Sequence, residues 1–235
     1  MCGRFALANI GQLSLRFNVD VALEDLTPRF NVAPSQRIPV IVGTSEGHAV
    51  RWMRWGYPPA RWADGQPSPP PINARKETLL QRPLFRPAVT SRRCLVPADG
   101  FYEWRQATDS RERRAHFIRL KSGNIFAFAG LYAESRDEHG RPDPGCAIIT
   151  TTANFLVAPI HHRMPAILDR NLEVDWLDPN LTAAPAILNL LQSYPGEEME
   201  VYPVSNLVSS YRNEGPELIQ RDTSAPVARQ AALFT

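Results

Sequence analysis

Apolar and polar positions alternate through the middle of this chain, and that period predicts strands. Ile38–Val42 and His48–Trp55 flank the short turn Thr44-Ser45-Glu46-Gly47 and read as a hairpin. Further strands are expected at Cys94–Pro97, Phe101–Trp104, His116–Leu120, Ile125–Leu131 and Cys146–Thr151, with turn chemistry at Ser122-Gly123-Asn124. Helical spacing appears on either side of this block. Asn9 stands ahead of Ile10, Leu13 and Phe17 as the cap of an amphipathic helix, and the same period returns around Leu172–Leu177 and Ala183–Leu191. Strands in the middle with helices around them predict an α+β fold on a mainly antiparallel, barrel-like sheet with peripheral helices.

Proline and glycine punctuate the pattern. Ala63-Asp64-Gly65-Gln66-Pro67-Ser68-Pro69-Pro70-Pro71 forms a loop that delivers the chain into Ile72-Asn73-Ala74-Arg75, which is expected on a positioned surface. With no internal repeat and no separating linker, residues 1–222 are expected to form one domain and residues 223–235 an untethered tail. At 235 residues, with 43% hydrophobic and 21% charged content, the composition is that of an ordinary globular protein with ample core. No run approaches the roughly 18 apolar residues of a membrane span, and no basic segment followed by an apolar one opens the chain. A cytoplasmic monomer is expected. Three cysteines, Cys2, Cys94 and Cys146, are too few for a disulfide framework and lack metal-ligand spacing, so no metal or organic cofactor is indicated. Cys94 and Cys146 fall in expected strands and read as buried small hydrophobes.

The net charge of +2 hides an uneven distribution. Arg51 to Arg93 carries nine basic residues against two acids, while Asp169 to Glu200 carries seven acids and one arginine. The first stretch suits a polyanion.

The most informative residue for chemistry is Cys2. Once the initiator methionine is trimmed, Cys2 presents an α-amine and a thiol on adjacent carbons. The amine titrates near about 7.7–8.0, so roughly a tenth or more of it is an unprotonated nucleophile at neutral pH. Such a 1,2-aminothiol condenses with an aldehyde to an imine, and the sulfur then closes a five-membered thiazolidine. Two other segments carry groups suited to moving protons or holding anions. Glu103, wedged between Tyr102 and Trp104 on a strand, is placed to have a raised pKa by desolvation and to act as a general acid and base. In Ile160-His161-His162-Arg163-Met164-Pro165, a histidine can shuttle protons while Arg163 holds an anion.

Taken together, these segments resemble the SOS-response-associated peptidase family, whose members crosslink to abasic sites in single-stranded DNA. The resemblance runs through Cys2-Gly3-Arg4-Phe5, Arg29-Phe30-Asn31-Val32-Ala33-Pro34, Trp55-Gly56-Tyr57-Pro58 with Trp62, and Asn73-Ala74-Arg75 with Glu77-Thr78. It continues through Cys94 to Trp104, Ala129-Gly130-Leu131, Thr150-Thr151 with Asn154, His161 with Arg163-Met164-Pro165, and Pro203-Val204-Ser205 before Gly215-Pro216-Glu217-Leu218-Ile219. It implies that Cys2 is the crosslinking nucleophile, that Asn73 steadies the adduct, that Glu103 moves protons, and that His161 assists at the sugar oxygen and in strand-cleaving elimination. It also implies phosphate contacts from Arg4, Arg75 and Arg163 and a DNA-facing surface including Asn31, Pro34, Trp55 and Trp62, with Phe30 as a further stacking candidate. The implied partner is single-stranded DNA bearing abasic sites, including single-strand/duplex junctions, with the protein at the nucleoid when so engaged. His162 departs from the family pattern, standing where many relatives carry Asp, and the proline-rich stretch before Ile72 is longer than in compact members.

Two competing readings follow from the same residues. A cysteine peptidase or amidohydrolase would use the Cys2 thiol as nucleophile with its own amine or His161 as base, releasing Met1 by self-cleavage in its simplest form. A non-catalytic nucleic-acid binding module would use the basic stretch and the tryptophans alone.

Overall fold

The computed structural model describes residues 2–21, 26–58, 68–106 and 113–223. Met1, Trp62, most of the proline-rich loop and the expected tail beyond Thr223 lie outside the described residues.

The expected hairpin forms first in chain order among the long strands. β3 (Arg37–Thr44) and β4 (Gly47–Trp55) pair antiparallel from Arg37↔Arg54 to Thr44↔Gly47. Gly47 closes the turn at φ 128°, a conformation that side chains rarely adopt. β6 (Arg93–Ala98), β9 (Phe126–Ala133) and β10 (Gly145–Thr152) complete a ring with this hairpin, in the order β10-β4-β3-β6-β9, and β9 pairs back onto β10. The barrel-like expectation therefore holds, as five strands closed on themselves. The seam is a parallel pairing, Gly145↔Arg54 and Cys146↔Trp55, in an otherwise antiparallel barrel. It requires a glycine: a Cβ on Gly145 would collide with the Gly56 carbonyl.

A second sheet runs in the order β12-β8-β7-β1-β2, made of β1 (Phe5–Leu7), β2 (Arg29–Val32), β7 (Gly100–Gln106), β8 (Arg113–Leu120) and β12 (Met199–Pro203). Two three-residue strands flank β10 beyond the ring: β5 (Asn73–Arg75), parallel to it at Ile148↔Asn73, and β11 (Arg163–Pro165), antiparallel at Thr152↔Arg163. The helices are short and peripheral: α1 (Leu13–Phe17), α2 (Arg86–Val89), α3 (Glu173–Leu177) and α4 (Ala184–Asn189). The helix after Asn9 forms, but Asn9 does not cap it. Its amide donates instead to Asp99 Oδ1 at 2.7 Å, and Asp99 Oδ2 accepts the backbone N–H groups of Ala8 and Asn9.

The core is continuous between the two sheets, and aromatic rings make the joint. Phe5 of β1 meets Trp55 at 5.2 Å and Phe128 at 5.9 Å between ring centroids, both edge-on, and Phe128 meets Phe101 of β7 at 6.0 Å. Edge-to-face contacts of this kind add about 0.5–1.5 kcal/mol to the burial of each ring. Phe5 therefore fixes the start of the chain against the barrel, three residues from Cys2. Trp55, expected on a stacking surface, is a core residue instead. It is fully buried, and its Nε1 donates to the Ile72 carbonyl at 3.0 Å, so neither face is open to a base. Cys94 and Cys146 are buried as expected.

Candidate active site where the two sheets meet

Cys2 enters the site because β1 continues toward the open end of β7. Phe5 pairs with Phe101, and the Tyr102 N–H donates to the Arg4 carbonyl at 3.0 Å, which brings the residues before Arg4 alongside Glu103. Cys2 is fully buried. Its carbonyl accepts a hydrogen bond from Asn73 Nδ2 at 2.9 Å, which ties the first residues of the chain to β5. The Asn73 Oδ1 is buried without a hydrogen-bond partner, leaving an acceptor available at the site. Burial, with the Glu103 carboxylate adding to it, pushes the Cys2 thiol well above its ordinary range, so it rests as S–H.

Glu103 is 4% exposed, and burial pushes its carboxyl up against an opposing pull from His161. It lines an open hollow of about 310 Å³ together with Trp104, Gln106, Arg113, Ile160 and His161. His161 leads into β11, where the Arg163 N–H approaches its Nδ1 at 3.0 Å. The same Nδ1 lies 3.0 Å from the Arg163 carbonyl as well, so the Arg163 backbone holds the ring through both groups. His162 stacks on His161 at 4.5 Å. Asn73 on β5 and His161 just before β11 thus stand at the two sides of β10, with Cys2 and Glu103 supplied from the other sheet.

The remaining expected site residues divide into exposed and engaged. Arg75 is exposed and Pro34 and Phe30 are half-buried. Arg4 is half-buried and its Nη2 donates to the Ser209 carbonyl at 3.3 Å. Asn31, expected to face DNA, is fully buried, and its Nδ2 straps the carbonyls of Ser210 and Asn213 at 2.9 Å each. Arg163 was expected to hold a phosphate, but its guanidinium lies inside the protein. It pairs with both Glu77 oxygens at 2.7 and 2.9 Å and donates to the Thr150 carbonyl at 2.6 Å. This clamp spans β10 and joins β11 to the turn that follows β5. Much of the basic stretch is likewise consumed within the fold: Arg51 on Glu134, Arg54 on Asp143, and buried Arg93 on the carbonyls of Trp176, Val89 and Asp178.

Sequence reasoning gave no site role to Trp104, Gln106, Arg113 or Ile160, although they line the hollow. Trp104 had a signal, since it follows Glu103 on the same strand. Its Nε1 donates to Ser209 Oγ at 3.0 Å.

Fold and site together define a barrel protein with a buried cysteine at its second position, set among an amide, a carboxylate and an imidazole. The sequence profile described as SOS response associated peptidase (SRAP) matches residues 1–211, and the chain belongs to that family. It is 43% identical over 223 residues to the abasic site processing protein YoqW of Bacillus subtilis (strain 168), an alignment covering 94% of this chain and 99% of the relative. It is 30% identical to the abasic site processing protein HMCES of Pongo abelii, covering 82% of this chain and 64% of that one. A solved structure of a Bacteroides thetaiotaomicron protein matches with a TM-score of 0.80 and 28% identity, covering 94% of this chain and all of the other. Among the described residues no helix is long and apolar enough to cross a membrane.

Proposed function

We propose that this protein processes abasic sites in single-stranded DNA by capturing them covalently through Cys2 after loss of Met1. The ring-opened abasic deoxyribose carries an aldehyde at C1′. The Cys2 amine attacks that carbon, and the carbinolamine expels its oxygen as water to leave an imine. The thiol then adds across the imine, forming the carbon–sulfur bond and moving one proton to nitrogen, so the product differs from the reactants by one water. Glu103 serves both halves. Its raised pKa lets it hold the proton that water departure needs, and the resulting carboxylate takes the thiol proton as sulfur attacks. His161 assists opening of the sugar and elimination of the 3′ strand. Asn73 orients the nucleophile, and Arg4 and Arg75 neutralise flanking phosphates.

The observation that carries this reading is the Asn73 hydrogen bond to the Cys2 carbonyl beside the buried Glu103. It positions the backbone of Cys2, the part of the residue whose amine the reaction uses. The peptidase reading needs a thiolate at rest, and the burial that pushes the Cys2 thiol up works against it.

Denaturing gels after incubation with an oligonucleotide bearing one abasic site test the proposal. A retarded, SDS-resistant band is expected with the processed protein and not with Cys2→Ala or with undamaged DNA. A band of equal intensity from Cys2→Ala would refute it.

A further inference from the structure

Beyond Glu103, the β7–β8 ribbon carries charge that the chemistry at Cys2 does not use. Its register sets Glu103 opposite His116 and Arg105 opposite Arg114. Residues directly opposite in an antiparallel pair project from one face, as do residues two apart along a strand. One face of the ribbon therefore runs from Phe101 and Ile118 in the core, through Glu103 and His116, to the two arginines at its outer end. The other face packs Tyr102, Ala115 and Phe117 into a satellite core. The His116 ring reports the same arrangement. Burial and then the charges of Arg105 and Arg114 hold its pKa down, against a 3.0 Å hydrogen bond to the Arg114 carbonyl.

Like charges directly opposite one another on a sheet repel. Among the described residues, neither arginine has a carboxylate within ion-pair distance, whereas Arg51, Arg54, Arg119 and Arg163 each have one. Among the described residues, then, two adjacent cations stand without an acidic partner on the face that bears Glu103, where an anion arriving with the ligand relieves their repulsion. Two residues of strand advance about 7 Å, a step of the order of the phosphate repeat of an extended single strand.

We infer that Arg105 and Arg114 together take a backbone phosphate of the DNA strand flanking the abasic nucleotide, an inference that rests on the reading of the Cys2 site given above. Forked guanidinium groups from two strands can share one phosphate, and the contact extends the site outward from Glu103 along the ribbon.

Binding of an undamaged single-stranded oligonucleotide across a salt series tests the subsite without any crosslink. For the Arg105→Gln/Arg114→Gln double variant, affinity is expected to fall about 10-fold at low salt, and the slope of log K against log salt to become shallower by about 0.7, the value for one phosphate contact on a single strand. The Arg105→Lys/Arg114→Lys protein keeps the salt slope, and Arg170→Gln, which removes an exposed arginine elsewhere, changes neither quantity. Should the double variant melt early, Arg105→Gln and Arg114→Gln alone give the same readout. An unchanged affinity and slope, or a loss no larger than that of Arg170→Gln, overturns the subsite. Crosslinking of abasic-site DNA by the unaltered protein is read in parallel. Its failure counts against the chemistry at Cys2, while an intact crosslink with an unchanged slope counts against the arginine pair alone.

Discussion

Two buried thiol environments lie within this fold. Cys2 occupies one, at the meeting of the sheets, and Cys94 and Cys146 share the other, inside the barrel wall. All three sulfurs are fully buried, and burial pushes all three thiols up, Cys146 to about 12. The surroundings differ. The Cys94 sulfur sits where Gly130 leaves it room, since a Cβ on that residue would crowd it. Cys2 has Asn73 on its carbonyl and Glu103 close enough to act on its thiol. Thiol acidity therefore does not distinguish the position proposed to react from the other two. What distinguishes it is a backbone held for use and a buried carboxyl that can give and take a proton.

Replacing that carboxyl is the sharpest way to break the comparison. Glu103→Gln should slow crosslink formation about 100-fold, within the range for loss of a general acid–base, measured as band intensity against time. The same substitution should raise stability at neutral pH. The folded-state pKa of Glu103 is raised above its ordinary 4.5, so its contribution to stability is full below that value and is lost as pH rises through the folded pKa. Denaturation midpoints of the two proteins should diverge toward pH 7 and converge below pH 4.5; a constant offset across the range would contradict the burial argument.

Removing the amide that holds Cys2 sharpens the contrast from the other side. Asn73→Ala should slow capture about 10-fold and cost about 1 kcal/mol, the net value of a typical hydrogen bond. Rates equal to those of the unaltered protein would show that the Cys2 carbonyl needs no anchor. The smallest effects belong to the barrel thiols. Cys94→Ala and Cys146→Ala should leave the crosslink intact and each cost about 1 kcal/mol for a lost buried group, read from urea midpoints.

The long strands were legible from the chain because each has its own alternation and its own turn. The β3–β4 hairpin follows from two apolar runs around Thr44-Ser45-Glu46-Gly47, and β6 through β10 lie within a residue or two of their expected bounds, except that β8 begins three residues before His116. The short strands were not, and they position much of the site: Cys2 precedes β1, Asn73 opens β5 and His161 precedes β11. β1, β5 and β11 have three residues each, too few to show a period, and only pairing with β7 or β10 makes them strands. The same division runs through the site. Cys2, Asn73, Glu103 and His161 were singled out by the character of the groups themselves. The fates of Trp55, Asn31 and Arg163 depended on partners remote in sequence, Ile72, Ser210 with Asn213, and Glu77, that no local pattern announces.

The parallel seam between β4 and β10 has a consequence for how the molecule comes to be. Parallel neighbours cannot be joined by a tight turn, so this ring can shut only after a long stretch of polypeptide has been made and folded back. The strand bearing Asn73 hangs on the same β10, as does the strand that follows His161. A chain still emerging during synthesis therefore has no completed trap to spring, and the aldehyde capture proposed for Cys2 waits until assembly is finished.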